Sequence, residues 1–345
     1  MKYFNLNKPF LDLKKLEDSY GSNKNFINKQ FSDLVVIGMG GSTQGARAIS
    51  NFANEDKIIY FDHLSSPHVF NALHKLNLPK TAFLFISKSG KTSETLTIFD
   101  FLCDYCDEKL LLKENFFVIT DENASPLEDL AHHKQIPVLH CNSKIGGRFS
   151  IFELNSLIPS FYFNNQGVKN LFEGAHFALT NIDKLSERAE KIKFVINSGK
   201  IVNLNLVYGN HLLEIANWKK QLYAESLGKN GNGFMPITSE MPREQHSLLQ
   251  LMMDGPKNIF YDMFSSNSIK PNLINITLNN HKNATYECLL KEKFDIEETI
   301  IDEDDFYRLG QFFVEQMIIV MKLADLIKVD PFTQDAVEKQ KNFLS

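Results

Sequence analysis

Glu225 and His246 are the two side chains whose chemistry and spacing suggest proton transfer. The apolar spacing before Glu225 predicts a helix over residues 211–224, and Gln221 lies one helical turn before Glu225, so the two side chains share a face. A carboxylate in that position can accept a proton, and the amide can orient the carboxylate or its substrate. A single Glu on a helix is more often a solvated surface residue than a catalytic one, and a single His more often has a structural role. A catalytic role for this pair therefore needs support from the rest of the chain.

The first half of the chain alternates short apolar runs with helical patterns, which predicts an α/β fold. The apolar runs are continuous, as expected of parallel strands that helices bury on both faces. We therefore expect a doubly wound, mainly parallel sheet whose ligands bind at the carboxyl ends of the strands. The predicted strands are residues 34–37, 57–61, 82–86, 116–120 and 137–139.

The second half repeats this alternation less regularly and predicts a second domain of the same flavodoxin-like class. A turn signal at residues 165–167 places the boundary near residue 160, with an arm and first domain over 1–160 and a second domain over 161–345. The predicted helices here are 189–199, 211–224, 246–253 and 307–328, and the predicted strands are 202–208, 234–238, 257–264 and 273–278.

The loop after the third predicted strand, SKSGKTSET at residues 87–95, carries the clearest binding signal of the first domain. It offers the hydroxyls of Ser87, Ser89 and Thr92, the charge of Lys88, and a glycine that allows close backbone approach. It leads into a helix N-terminus, where free N–H groups and the helix dipole favour an anion. An ordinary polar loop can have a similar composition, but the combination favours the phosphate of a small molecule.

The residues of the two glycine-containing loops do not match the known nucleotide-binding motifs. A dinucleotide-binding fingerprint requires glycine at Thr43, and a Walker A loop ending at Thr92 requires glycine at Phe85. Cys103 and Cys106 lie within a predicted helix and are not accompanied by a second metal-ligand pair in the sequence. We therefore expect neither NAD nor ATP, and no metal or redox cofactor.

The segment GGRFS at residues 146–150 places a permanent positive charge, Arg148, beside two glycines. Arginine keeps its proton at physiological pH, so it suits the stabilisation of an anionic intermediate better than proton transfer. Taken alone, the segment fits a plain turn with a surface arginine better.

Charge and composition exclude several other classes of function. The formal net charge is −5 with lysine and arginine dispersed, which argues against a nucleic-acid surface. The N-terminus lacks the apolar core of a signal peptide, and the most apolar late stretch, residues 312–329, contains charged side chains and predicts a buried helix in place of a membrane span. The four cysteines fit thiols in a reducing compartment, so we expect a cytoplasmic protein.

Six segments, taken in order, resemble the glucose-6-phosphate isomerase family in its compact bacterial form, which is built of two sugar-isomerase (SIS) domains. The resemblance extends from Asp33 to Lys341, and six motifs in the family's order are far more specific than any one of them. The segments are GMGGSTQG (38–45), SKSGKTSET (87–95), GGRFS (146–150), QLYAESLGK (221–229), QHSLLQL (245–251) and DPFTQDAVEKQK (330–341).

The resemblance implies an aldose–ketose isomerase that interconverts glucose 6-phosphate and fructose 6-phosphate, a step of glycolysis and gluconeogenesis. Glu225 would move a proton between C1 and C2 through a cis-enediol, Arg148 would stabilise the negative charge, and His246 and Lys341 would assist ring opening. The substrate-binding residues would be Ser42, Ser87, Lys88, Ser89, Thr92, Gln221 and Gln334.

The resemblance also implies a homodimer, because in this family the active-site histidine reaches in from the partner subunit. Each active site would then be a composite of two chains. The residue types suit the chemistry: histidine titrates near neutral pH, and a partly desolvated Glu can take a carbon-bound proton.

Two departures from the family's pattern bear on substrate discrimination. Gly90 and Lys91 make the phosphate loop closer to the SxSGxTxET loop of other SIS proteins than to the family's SKTFTTxET, and Gln44 and Ala46 stand where Leu and Pro are usual. They leave open a bifunctional glucose-6-phosphate/mannose-6-phosphate isomerase, although the last segment favours the glucose enzyme.

A third alternative is a non-catalytic SIS sensor that binds a sugar phosphate to regulate another protein. Such sensors keep the phosphate loop and lose the acid–base residues. Because Glu225, His246, Arg148 and Lys341 are all present, the sequence favours an enzyme.

Overall fold

The computed structural model describes residues 2–28, 30–106, 112–267 and 272–341, and the chain divides into two compact units. The first unit comprises Asn7–Val168, and the second comprises Met1–Leu6 together with Lys169–Ser345. Each unit contains one sheet whose strand pairs are all parallel, so the predicted fold class of two doubly wound α/β domains is confirmed.

The first unit is organised on a five-stranded sheet with the strand order β2-β1-β3-β4-β5. Its strands are β1 Asp33–Ile37, β2 Ile58–Phe61, β3 Thr81–Ile86, β4 Phe116–Asp121 and β5 Val138–Cys141. Its helices are α1 Leu13–Asn23, α2 Gln44–Phe52, α3 Ser66–Leu73, α4 Ser93–Cys106, α5 Leu112–Asn115, α6 Pro126–His133 and α7 Leu154–Ser160.

Burial on both faces explains the continuous apolar strands of this sheet. All six residues of β3 and all six of β4 are buried. One face packs against α3, α4 and α6 through a phenylalanine-rich cluster, and α2 packs against α7. α6 begins as its sequence predicts, because the Ser125 side chain accepts the N–H of Glu128 and Pro126 occupies the first turn.

The second unit is organised on a four-stranded sheet with the strand order β7-β6-β8-β9. Its strands are β6 Val202–Tyr208, β7 Met235–Met241, β8 Ile259–Ser265 and β9 Ile296–Ile300. Its helices are α8 Val168–Ala178, α9 Ile182–Asn197, α10 Leu213–Leu227, α11 Gln245–Asp254, α12 Leu273–Lys291, α13 Phe306–Ile327 and α14 Asp335–Lys341.

α13 is the central helix of the second unit and is apolar around most of its circumference. It packs against α9 and α10, where the Trp218 ring meets Phe313 at 4.8 Å between centroids and the Tyr223 hydroxyl donates to the Gln316 side chain at 2.8 Å. α11 and α12 pack together over a separate apolar cluster on β6 and β8. Within the described ranges, every helix is too short or too polar to cross a bilayer.

The prediction of a strand at residues 273–278 is wrong, because these residues form the first turns of α12. The Asn272 side chain accepts the N–H of Asn275 at 2.9 Å and caps the helix. The alternating Leu and Ile residues that follow the cap are typical of a strand and led to the wrong prediction. The edge strand β9 is absent from the prediction, since its sequence IEETI carries two charged residues and no continuous apolar run.

Candidate active site

Loops from two neighbouring strands leave the first sheet at its carboxyl edge. Residues 38–43 follow β1 and residues 87–92 follow β3, and the two strands pair in parallel from Asp33↔Thr81 to Ile37↔Phe85. The strand order reverses at β1, and in sheets of this order ligands bind in the crevice at that point.

The phosphate loop, residues 87–92, closes on itself in front of α4. The buried Ser87 hydroxyl donates to Thr92 Oγ1 at 3.1 Å, and the backbone N–H of Lys91 donates to Ser89 Oγ at 3.3 Å. α4 begins at Ser93 and is 14 residues long. The hydroxyls predicted to bind phosphate therefore precede a helix N-terminus, where N–H groups and the dipole favour an anion.

Gly90, one of the two departures in this loop, is required by its surroundings. Its φ is +59°, and a Cβ atom there would lie 2.0 Å from Ser125 Oγ. Its carbonyl accepts the N–H of Leu127 at 3.1 Å, so the loop is bound directly to the first turn of α6. A side chain at this position would be strained by both its φ and its contacts.

The glycines of the first and third motifs bring two loops into backbone contact. A Cβ atom on Gly41 would lie 2.6 Å from the carbonyl carbon of Gly147 and 2.9 Å from the backbone nitrogen of Arg148. Only glycine permits this approach at residue 41. The contact fixes the segment after β1 against the turn that carries Arg148.

Side-chain hydrogen bonds hold the same two loops together. The Asn155 amide donates to the Ser42 carbonyl and to Ser150 Oγ, both at 3.1 Å. The Ser150 hydroxyl donates to the Gly147 carbonyl at 2.8 Å and lies 3.3 Å from the Gly41 carbonyl. Asn155 and Ser150 are both buried, so these bonds are protected from water.

Arg148 and Lys88 supply the positive charge at this edge of the sheet. Arg148 is only 4% exposed, and its guanidinium lies 5.6 Å from the centroid of the Phe149 ring. This excludes the alternative of a plain turn with a surface arginine. Burial lowers the pKa of Lys88, as does the nearby charge of Arg148, while Asp121 and Glu153 act in the opposite direction.

Glu153 and Asn155 are residues of this region that the sequence analysis missed. Glu153 lines a small cavity together with Ser42 and Lys88, and its carboxylate accepts the N–H of Leu154 at 3.3 Å. The signal available in the sequence was a carboxylate directly before the apolar start of α7, a position typical of a helix cap.

In the second unit, Gln221 and Glu225 share a face of α10, as their spacing predicts, and a direct hydrogen bond joins them. Gln221 Nε2 donates to Glu225 Oε1 at 2.7 Å. The ammonium group of Lys229 donates to the carbonyls of Glu225 and Ser226 at 3.0 and 2.9 Å and completes the C-terminus of α10. The carboxylate thus lies on a helix end whose orphan carbonyls are satisfied.

Glu225 lies at the amino edge of the second sheet. α10 leaves the carboxyl end of β6 and returns to the start of β7, so its last turn is at the amino edge. Two residues before Glu225, the Tyr223 ring packs against Phe234, which packs against Phe260 near the start of β8. This edge is opposite to the one at which ligands bind in most parallel sheets.

His246 lies at the carboxyl edge of the same sheet. It is the second residue of α11, which follows the carboxyl end of β7. The hydroxyl of Tyr208, the last residue of β6, lies 2.9 Å from Thr285 Oγ1 and 3.5 Å from Gln245 Oε1. The His246 side chain is exposed, whereas Glu225 is half-buried.

The predicted site residues therefore form separate groups. Within the first unit, Ser42 and Arg148 are joined to the same packed pair of loops, beside the phosphate loop. Within the second unit, Glu225 and His246 lie at opposite edges of one sheet. Gln334 is exposed and precedes α14, and the backbone of Lys341 ends that helix, while the Lys341 side chain lies outside the described part of the structure.

A phosphoglucose isomerase family model matches residues 11–287 of this chain. That range spans most of the first unit and the second unit through the greater part of α12. The chain belongs to the phosphoglucose isomerase family. Its relatives include the glucose-6-phosphate isomerase of Campylobacter jejuni, which is 27% identical with 90% of this chain and 84% of that protein covered. The enzyme of the same name from Onion yellows phytoplasma is 30% identical, with 97% and 86% covered.

Solved structures agree on the fold. A hypothetical protein from Thermus thermophilus superposes with a TM-score of 0.86 at 23% identity, over 98% of this chain and 90% of that one. A glucose-6-phosphate isomerase from Chlamydia trachomatis gives a TM-score of 0.82 at 18% identity, over 97% of this chain and 73% of that one.

The contact between Gly41 and Gly147 generates a test of the first-unit site. Gly41→Ala should weaken the binding of sorbitol 6-phosphate, a hexose-like phosphate without a carbonyl group, by at least about tenfold, because the two loops must separate and small displacements of binding groups are costly. Titration calorimetry measures the affinity.

Gly146→Ala is the matched control. A Cβ atom there meets only a carbon of Phe149 at 4.0 Å, and φ is −67°, so affinity should change by less than about twofold. Equal effects of the two substitutions would show that the backbone contact does not position the binding groups.

Proposed function

We propose that the protein interconverts glucose 6-phosphate and fructose 6-phosphate, the sugar-phosphate isomerisation of glycolysis and gluconeogenesis. Membership of the phosphoglucose isomerase family supports this activity over most of the chain, and the relatives described above carry the glucose enzyme's name. That naming favours the glucose activity over the bifunctional alternative and over a non-catalytic sensor. The structural observation that carries the mechanism is the hydrogen bond from Gln221 to Glu225.

In the proposed mechanism, Glu225 is the base. Its carboxylate removes the proton from C2 of the open-chain aldose, and the electrons of the C2–H bond form the C1–C2 double bond of a cis-enediolate whose charge lies on O1. A proton then passes from the C2 hydroxyl to O1, and the same carboxyl returns its proton to C1 as the C2 carbonyl forms. The oxidation at C2 is balanced by the reduction at C1, so hydrogen and electrons stay within the substrate. Gln221 fixes one carboxylate oxygen, which keeps the other aligned along the C1–C2 bond.

The remaining roles follow from residue chemistry. Ring opening needs a proton delivered to the ring oxygen and one removed from the anomeric hydroxyl, and we assign this to His246 with Lys341. Arg148 carries a permanent charge and stabilises the enediolate. The residues that bind the substrate are Ser42, Ser87, Lys88, Ser89, Thr92, Gln221 and Gln334.

We further propose that the active protein is a homodimer with composite sites. Glu225 and His246 must act on atoms a few bonds apart in one sugar, but they lie at opposite edges of one sheet. β7, which separates these edges, is seven residues long and so spans roughly 20 Å. A second copy that brings its own exposed His246 to the first copy's Glu225 removes this conflict.

The N-terminal part of α12 is the surface that we assign to the dimer. Leu273 and Ile274 are each 79% exposed, the highest values among the large apolar side chains of the described residues, and Ile276 is 49% exposed. Thr285 marks the carboxyl edge of the sheet through its bond to Tyr208, and the helix begins 12 residues earlier, about 18 Å along its axis. The apolar turn therefore projects from the edge that carries His246.

The composition of this turn suits contact with an identical copy. Residues 272–280 contain no Lys, Arg, Asp or Glu, so a two-fold axis that sets the segment against itself brings no like charges together. Burial of leucine and isoleucine side chains in an interface is favourable, because it removes apolar surface from water.

We also place the reaction in the cytoplasm, since all four cysteines are free thiols.

Replacement of the base tests the activity and the role of Glu225 together. The wild-type protein should convert fructose 6-phosphate to glucose 6-phosphate. Glu225→Gln should reduce the isomerisation rate about 10²- to 10⁴-fold while glucose 6-phosphate still anomerises on the protein, because ring opening uses other residues. Glu214→Gln, on the first turn of the same helix, is the control and should retain most of the activity. A Glu225→Gln rate above about a tenth of wild type would exclude Glu225 as the base.

Subunit mixing tests the composite site. His246→Ala and Glu225→Gln homodimers should each be nearly inactive, whereas a mixed dimer has one site with both lesions and one with neither. With random exchange about half the dimers are mixed, so about a quarter of the wild-type activity should return. Differently tagged chains verify the exchange. Mixed dimers without recovered activity would mean that His246 serves its own subunit.

Replacement of Leu273 and Ile274 by serine tests the dimer surface. The double variant should raise the dimer dissociation constant roughly a hundredfold or more, since four branched side chains leave the interface. Sedimentation measures the dissociation, and activity should fall in parallel on dilution and return at high concentration. Phe194→Ser, which alters a side chain of similar exposure on α9, should leave the dimer intact. An unchanged dimer in the double variant would exclude α12 as the interface.

A further inference from the structure

Glu153 is a buried carboxyl group beside the loops that we assign to phosphate binding. Only 6% of the residue is exposed, although it carries an ionisable side chain. Its carboxylate accepts the N–H of Leu154 at 3.3 Å and hydrogen bonds to the backbone of Asn142. Glu153 therefore ties the start of α7 to the segment that follows β5 and leads to Arg148.

Glu153 forms part of the wall of two cavities in the first unit. The smaller cavity is also lined by the proposed phosphate ligands Ser42 and Lys88. The larger, of about 450 Å³, is polar and is lined by α1, by the end of β5 and by the residues that follow β4 and β5. Ser42, Lys88 and Glu153 thus line one small cavity, so a phosphate that contacts Ser42 and Lys88 would lie close to the Glu153 carboxyl.

Charged or titratable groups from several elements lie around Glu153. Lys88 and Lys15 attract its negative charge, but burial outweighs them and raises the pKa of Glu153. Burial also raises the pKa of the Cys141 thiol to about 12, so Cys141 is neutral at physiological pH. The remaining charged or titratable groups that line the two cavities or act on Lys88 are Asp12, Asp121, Glu122, His140, Lys144 and Arg148.

We propose that Glu153 is a positioning residue for the substrate phosphate, which acts through Lys88 and takes up a proton when the phosphate binds. In the free protein, the negative charges of Glu153 and Asp121 both stabilise the charge of Lys88. A phosphate ester near −2 then competes with the Glu153 carboxylate for the same ammonium group. Two anions close together in a poorly solvated site cannot both stay ionised without a large cost, and the carboxylate is the one that protonates. This inference rests on the phosphate site proposed above.

The coupling between phosphate binding and protonation of Glu153 predicts the direction in which affinity changes with pH. If binding takes up a proton, affinity falls as pH rises between the pKa of Glu153 in the free protein and its higher pKa in the complex. The phosphate itself acts in the opposite direction, because its second pKa is about 6 and the dianion is lost at lower pH. The Glu153 effect should therefore be measured above about pH 7, where the ligand's charge is constant.

Calorimetry with sorbitol 6-phosphate isolates this step, since the ligand cannot isomerise. Binding heats in buffers of different ionisation enthalpy give the number of protons taken up. Wild type should take up more protons than Glu153→Gln, with a difference that approaches one per site, and its dissociation constant should rise by up to about tenfold per pH unit. Glu153→Gln keeps the cap acceptor and the shape, so it should bind with little dependence on pH.

Two further variants distinguish a positioning role of Glu153 from a purely structural role. Glu122→Gln changes an exposed carboxyl that lines only the larger cavity, and it should behave as wild type. Glu153→Ala removes the cap as well as the charge, so it should also lower the melting temperature, which Glu153→Gln should not. Equal proton uptake and equal pH dependence in wild type and Glu153→Gln would overturn the inference while leaving the proposed function intact. Failure of the wild-type protein to bind sorbitol 6-phosphate would overturn both.

Discussion

The backbone contact between Gly41 and Gly147 is the constraint on which the first-unit site depends. It brings the segment after β1 within van der Waals distance of the turn that carries Arg148, and no residue with a Cβ atom fits at position 41. Asn155 and Ser150 then bond the two loops through buried hydrogen bonds. A site made of separate loops becomes rigid in this way, and rigidity is what the stabilisation of a developing charge requires.

Charge in this site is balanced before any ligand arrives. Arg148 and Lys88 lie close enough for Arg148 to lower the pKa of Lys88, and Asp121 and Glu153 oppose that effect. Buried cations without such partners would be costly, because desolvation disfavours the charged form. If the substrate phosphate binds here as proposed, it competes with Asp121 and Glu153 for these positive charges, and this competition is the physical origin of the proton uptake that we infer at Glu153.

In the second unit, the direction of the chain separates the two groups that the proposed reaction must bring together. A helix between parallel strands returns from the carboxyl edge to the amino edge, so Glu225 near the end of α10 and His246 near the start of α11 lie at opposite ends of the sheet. Local hydrogen bonds orient the carboxylate within its own chain. A two-fold related copy offers the imidazole a path to the carboxylate, and α12 presents an uncharged apolar surface at that edge.

The sequence by itself determined the elements whose signals are local. Continuous apolar runs marked the buried strands of the first sheet, the spacing of Gln221 and Glu225 placed them on one helix face, and six ordered motifs indicated the family. Tertiary structure decided the helix at residues 273–278, where packing through Leu278 outweighs an alternating pattern. It also decided the burial of Glu153 beside Lys88, because that depends on loops from β3 and β5 meeting at one sheet edge, and such non-local contacts leave no periodic trace in the chain.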